Sequence, residues 1–190
     1  MRVLKLFALT LLVLIVAQGK TFAGMPDISA KENFYDPFKG VQVLRGNVRV
    51  SIDNHGFKAT LGADEVRVSM AKRCCWADGK VKLVQDDTTL NCNRAYIVLQ
   101  EKTATVTGKV KFESRNNVTI NAESAVFHWD TKIVDFYGKI KLKAGKNVKL
   151  ADGLKIDGKE YRHIQYNVTE KKIIALDKTF NAPEIVIPEN

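Results

Sequence analysis

A five-residue phrase recurs four times along the chain, as Gly46-Asn47-Val48-Arg49-Val50, Gly79-Lys80-Val81-Lys82-Leu83, Gly108-Lys109-Val110-Lys111-Phe112 and Gly138-Lys139-Ile140-Lys141-Leu142. Its starts lie 33, 29 and 30 residues apart, and in every copy the apolar residues fall at the third and fifth places. Period two belongs to a strand that buries one face, because successive side chains point to opposite sides. Val48, Val50, Val81, Leu83, Val110, Phe112, Ile140 and Leu142 therefore share one side, and Arg49, Lys82, Lys111 and Lys141 share the other. No helical repeat accommodates this pattern.

A second phrase follows each of the first three glycines: Leu61-Gly62-Ala63-Asp64-Glu65-Val66, Leu90-Asn91-Cys92-Asn93-Arg94-Ala95 and Ile120-Asn121-Ala122-Glu123-Ser124-Ala125. A third stretch, such as 103–107 or 133–137, is rich in β-branched or aromatic residues and leads into the next glycine. Each unit thus reads as about three short strands. Turn chemistry stands at Asp53-Asn54-His55-Gly56, Asp78-Gly79, Ser114-Arg115-Asn116-Asn117, Ala144-Gly145-Lys146-Asn147, Asp152-Gly153 and Asp157-Gly158. A helical turn is expected only around Asp27–Asn33. At one strand per 8 to 12 residues, the chain after its leader holds roughly 14 to 21 strands. The fold expected is all-β and repetitive, each unit burying its apolar face by stacking on its neighbours. A stack that does not close leaves pairing edges at its ends, where Pro26, Pro37, Pro183 and Pro188 stand as possible blunting residues.

Residues 1–23 show Arg2 and Lys5, then an apolar run from Leu6 to Ala17, then a small-residue exit at Thr21-Phe22-Ala23. This is the pattern of a cleaved export signal, since 12 apolar residues fall short of the roughly 20 that span a bilayer. The remainder, 24–190, is expected to form a single domain. The whole chain carries 30 Lys plus Arg against 21 Asp plus Glu; losing Arg2, Lys5 and Lys20 leaves 27 bases against the same 21 acids over 167 residues. A basic exported domain suits an acidic surface, a phosphorylated lipid or a polyanionic glycan, and not nucleic acid. Cys74, Cys75 and Cys92 make an odd count, so either Cys92 pairs with Cys74 or Cys75, or all three are buried small hydrophobes.

Catalytic patterns are thin. His55, His128 and His163 have no spacing that supports a metal or acid/base site, and the chain has no nucleophile elbow, phosphate loop or HExxH. Asp64-Glu65 and Asp86-Asp87 are carboxylate pairs of the kind a glycosidase needs, but such pairs are commoner on solvent faces. Phe127, Trp129, Phe136 and Tyr137 serve either core packing or a lipid channel.

The export signal, the recurring Gly-[Asn/Lys]-[Val/Ile]-[Arg/Lys] phrase, Ala63-Asp64-Glu65-Val66 and the lead-in Gly40-Val41-Gln42-Val43-Leu44-Arg45-Gly46-Asn47-Val48 resemble the OstA-like/LptA family of periplasmic lipopolysaccharide transport proteins. The resemblance spans about Ala30 to Leu176. It implies a slightly open, V-shaped, antiparallel β-jellyroll whose interior takes the lipid A acyl chains of lipopolysaccharide, with basic side chains at the rim for the phosphates. It also implies edge-to-edge stacking with LptC-like and LptD-like proteins or with further copies, no cofactor and no catalysis. Alternation nominates Val48, Val50, Val66, Val68, Val81, Leu83, Ile97, Val110, Phe112, Ile120, Phe127 and Ile140 as the lining of the lipid groove. The three cysteines and a long fourth unit containing Tyr161-Arg162-His163 depart from the family pattern. Competing readings are an LptC-like component behind an uncut helix, a secreted structural β-repeat with a packed core, and a jelly-roll glycosidase.

Overall fold

The computed structural model describes residues 27–189 apart from 55, 56, 70, 86, 87, 99, 115, 116, 129, 146, 147, 180 and 182. The predicted leader 1–23, and with it Pro26, His55, Asp86, Asp87 and Trp129, lies outside the described residues.

The described chain is all β. Its strands are β1 (Asp27–Ser29), β2 (Glu32–Asp36), β3 (Val41–Asn54), β4 (Phe57–Ser69), β5 (Cys74–Gln85), β6 (Thr88–Val98), β7 (Thr103–Ser114), β8 (Val118–His128), β9 (Ile133–Lys143), β10 (Lys149–Leu150), β11 (Tyr161–Asn167) and β12 (Lys172–Asp177). They form one sheet in the order β1-β3-β4-β5-β6-β7-β8-β9-β11-β12-β10, with β2 also on β3. Every pairing is antiparallel except β10 with β12. The region expected to hold a helical turn, Asp27–Asn33, instead supplies β1 and the start of β2, because β3 offers it a free ladder on both of its halves.

Two expectations change for one reason. Asp78-Gly79 is not a turn, and the units are not three short strands. The glycine phrase sits inside each odd-numbered long strand, where the register slips: between Arg45 and Val48, Asp78 and Val81, and Thr107 and Val110. Gly46 and Asn47, Gly79 and Lys80, and Gly108 and Lys109 all have positive φ, which sets a bulge that bends the strand. Strands of 11 to 14 residues thus replace pairs of shorter ones, and each repeat is two long bent strands.

The bends fold the sheet into two facing leaves. Leaf 1 contains 41–45, 65–69, 74–78, 94–98, 103–107, 124–128 and 133–137, extended by β2, β11, β12 and β10. Leaf 2 contains 48–54, 57–63, 81–85, 88–92, 110–114, 118–122 and 140–143, extended by β1. One buried cluster draws its side chains from both leaves, so their inner faces pack on each other. Near the bend the inward residues are small, among them Ala63, Ala77, Cys92, Ala95, Ala122 and Ala125; further out they become Leu61, Ile97, Phe112, Ile120 and Tyr166. Small near the bend and large near the turns is the volume profile of a V, with the bulges at its apex and the turns along its mouth. The alternation predicted an all-β repeat, and the family resemblance implied this V-shaped jellyroll.

The fourth unit departs from the repeat. After β9 the chain runs through 144–160 and places Val148, Leu150 and Ile156 against the core. Tyr161 is buried, and its hydroxyl donates to Asp157 Oδ1 at 2.7 Å. Lys178 also bonds Asp157. Hydrogen bonds from Lys178 and then Tyr161 hold the Asp157 carboxyl well below its usual range. Beyond β12 the tail lies on the outer face of leaf 1. There Ile187 is buried with Val41, Val43, Cys74 and Trp76, and Trp76 Nε1 donates to the Pro188 carbonyl at 2.9 Å.

A candidate apolar cleft between the leaves

All twelve residues nominated from alternation point into the space between the leaves. Val48, Val50, Val66, Val68, Val81, Ile97, Val110, Phe112, Ile120 and Ile140 are buried in the central cluster, and Leu83 and Phe127 pack against it while partly exposed. Register explains the grouping: Leu61, Leu83, Leu90, Phe112, Ile120 and Leu142 stand opposite one another across successive strands of leaf 2. Leaf 1 answers with Val68, Cys75, Ile97, Ala104, Phe127 and Val134.

The leaves meet through aromatic rings. Phe112 of leaf 2 packs edge-on against Phe136 and Tyr166 of leaf 1, with centroids 5.7 and 5.5 Å apart. Sequence order separates these residues widely, and only the bend brings them together. On the mouth side, Leu83 and Leu90 of leaf 2 and Ala104 and Phe127 of leaf 1 are only partly buried. Leu90 and Ala104 were not nominated from sequence, although Leu90 opens the second repeated phrase and its alternation with Cys92 was legible.

The aromatic group expected in a core or channel divides. Phe127 and Phe136 face inward, whereas Tyr137 stacks on His163 on the outer face of leaf 1, with centroids 4.8 Å apart. Beside them the buried Asp135 accepts from Gln165 Nε2 at 2.8 Å, lies 2.7 Å from His163 Nε2 and has His128 Nε2 at 3.7 Å. Among the described residues no group of three or more His, Cys, Asp or Glu is arranged to hold a metal ion.

The outer faces differ in how charge is handled. On leaf 1, Arg45 bonds Glu65 at 2.7 Å, Arg67 bonds Asp78 at 2.6 Å and Arg94 bonds the same carboxylate at 2.8 Å. Glu65 is thereby engaged and Asp64 sits at the bulge beside Gly79, so the Asp64-Glu65 pair serves the fold. On leaf 2, Arg49, Lys82, Lys111 and Lys141 are exposed, as alternation required.

All three thiols are free and buried. Cys75 stands opposite Ile97, so Cys92 lies five residues further along the neighbouring strand, on the other side of the bend, and the two are not bonded. Cys74 faces outward under the tail and is still further off. The reading of all three as buried small hydrophobes holds, and burial pushes the thiols of Cys75 and Cys92 up to about 12.

No curated protein matches the chain. Among solved structures, LptH of Pseudomonas aeruginosa, described as the LptA homologous periplasmic component of the lipopolysaccharide transport device, aligns at 19% identity with a TM-score of 0.49, over 74% of this chain and 92% of that one. The sequence profile described as LptA/(LptD N-terminal domain) LPS transport protein matches residues 27–172, which takes in β1 to β11 and every nominated cleft residue. The chain belongs to the LptA/(LptD N-terminal domain) family of lipopolysaccharide transport proteins.

Proposed function

We propose that this protein is a non-enzymatic periplasmic carrier that holds the acyl chains of lipopolysaccharide between its two leaves and passes the lipid from the inner to the outer membrane. One observation carries the reading: an apolar interior continuous from β3 to β12 reaches the mouth of the V through the half-exposed Leu83, Leu90, Ala104 and Phe127. Each lipid CH₂ removed from water contributes roughly 0.8 kcal/mol, so a cleft several strands long covers chains that water would not tolerate. For acyl chains to enter, the contacts of Phe112 with Phe136 and Tyr166 give way to contacts with lipid.

The leader supports export, and family membership supports the cargo. Stacking is proposed from the ends of the sheet. β1 and β2 have three and five residues and β10 only two, so β3 beside the first two and β12 beside the last keep unpaired ladder positions. Phe34 and Phe38 are exposed at the first of these ends. Like-folded LptC-like and LptD-like partners, or further copies, would pair there edge to edge.

Single photo-crosslinking probes at Val81, Val110 and Phe112, with Arg49 and Lys111 as outward controls, test the cleft with lipopolysaccharide. Crosslinks confined to the inward set are expected. Crosslinks at neither set would identify a packed structural β-repeat, and equal crosslinking at both sets would remove the cleft from the mechanism.

A further inference from the structure

The outer faces of the two leaves treat charge in opposite ways. In the row nearest the bulges, leaf 1 places Arg45 opposite Glu65, Glu65 opposite Asp78 and Asp78 opposite Arg94. Each cation there meets an acid, at 2.7 Å for Arg45 with Glu65 and 2.8 Å for Arg94 with Asp78. Leaf 2, on the other side of the same bulges, is built differently. Arg49 stands opposite Gly62 and Gly62 opposite Lys82; Lys82 faces Asn91, Asn91 faces Lys111, Lys111 faces Asn121 and Asn121 faces Lys141. Along this row every odd-numbered strand supplies a cation and every even-numbered strand a glycine or a carboxamide, with no acid among them.

Neighbouring cations of the row lie two strand spacings apart, roughly 10 Å, and the row runs about 29 Å across the strands from Arg49 to Lys141. All four cations are exposed. Among the described residues only Lys111 and Lys141 have carboxylate partners, Glu113 at 2.9 Å and Glu160 at 3.9 Å. Like charges directly opposite one another repel, and the intervening Gly62, Asn91 and Asn121 set these about one screening length apart, so the row persists at small cost. The next row towards the mouth adds the hydroxyls of Thr60, Thr89 and Thr119, and its Val84 is only partly exposed. The large hydrophobic residues that are exposed in the described chain, Phe34, Tyr35, Phe38 and Val186, all lie elsewhere, on β2, in the turn after it and in the tail.

We infer that the outer face of leaf 2 is a docking surface for a linear anionic polysaccharide laid across the strands along Arg49, Lys82, Lys111 and Lys141. A straight, evenly spaced row of cations complements a polymer whose acidic groups recur along its length, whereas a compact anion would meet only one or two of them. The carboxamides and hydroxyls set between the cations offer donors and acceptors to sugar hydroxyls at the same time. A bilayer surface is a poorer match, because binding at the headgroup boundary draws on exposed apolar side chains and this face presents none of the large ones. The inference does not rest on the carrier reading: the row faces away from the cleft, and the inward residues of the same strands stay available to lipid.

The test measures binding of the purified protein, at physiological ionic strength, to polygalacturonate, which carries one carboxylate per sugar, and to its fully methyl-esterified form, which has the same backbone without the charge. The parent should bind the charged polymer about tenfold more tightly than the ester. Arg49→Gln/Lys82→Gln/Lys111→Gln/Lys141→Gln should weaken binding to the charged polymer about tenfold, whereas Lys39→Gln/Lys72→Gln/Lys102→Gln/Lys155→Gln, which removes the same charge elsewhere, should leave it within about twofold. Every replaced side chain is exposed, so the melting temperatures of both variants should match that of the parent. Unchanged binding by the row variant would overturn the inference, as would an equal loss in both variants, which would make net charge the cause. A parent that binds neither polymer, or both alike, would overturn it too. Vesicles carrying anionic lipid, bound as tightly as the polymer and lost with the same row, would assign the face to a membrane and overturn the polysaccharide. None of these outcomes bears on the carrier reading, which the cleft probes decide.

Discussion

Gly138 and Gly153 both have positive φ, at 97° and 80°, yet their surroundings differ. A Cβ on Gly138 would stand 2.6 Å from Glu123 Cβ, whereas one on Gly153 would meet nothing within 4 Å. Gly153→Ala should therefore cost only the backbone term, about 1–2 kcal/mol, and Gly138→Ala clearly more, since the neighbouring strand must also shift. Chemical denaturation of both variants checks the order. The thiols yield a pH prediction. Those of Cys75 and Cys92 are raised from 9.0 to about 12, so the folded protein keeps protons that the unfolded chain has lost. Stability should be fully retained below pH 9 and decline as pH climbs towards 12. The matching kinetic outcome is slow alkylation of both thiols at pH 8 until denaturant is added.

The C-terminal tail is the element whose contribution is easiest to isolate. It enters no ladder and is fastened by Ile187 and the Trp76–Pro188 hydrogen bond. Truncation after residue 180 exposes Trp76 and should cost about 1–2 kcal/mol, the burial of one Ile and one hydrogen bond less the ordering of the tail. In a Trp129→Phe background, a red shift of Trp76 emission on truncation is the check. The tail was invisible in the sequence: Pro183 and Pro188 read as strand-edge residues, and nothing local to Trp76 reveals a partner 112 positions away. Inward and outward residues were legible wherever period two held, as at Val110 and Lys111, because strand alternation needs no tertiary information. The bend was not legible, since Asp-Gly reads equally as a turn or a bulge and only pairing with β6 decides between them. The meeting of Phe112 with Phe136 and Tyr166 depends on that bend and was hidden for the same reason.

At the scale of the molecule, a repeat architecture invites the expectation that the ends melt separately. Here two leaves share one core and seven strands run through both, so the protein from β3 to β9 should unfold as a single unit. Phe112→Ala, which removes a ring joining the leaves, should cost about 3–5 kcal/mol and shift fluorescence and hydrogen-exchange transitions together. If leaf 1 retained protected amides after leaf 2 had exchanged, the leaves would be independent. The shared strands also set how such a protein changes size during evolution. Duplicating one unit of 29 to 33 residues inserts two strands into both leaves at once and lengthens the cleft by roughly 10 Å. The length of such a protein is therefore quantised, and a tandem duplication in its gene adds one more step to a ladder whose cross-section never has to be redesigned.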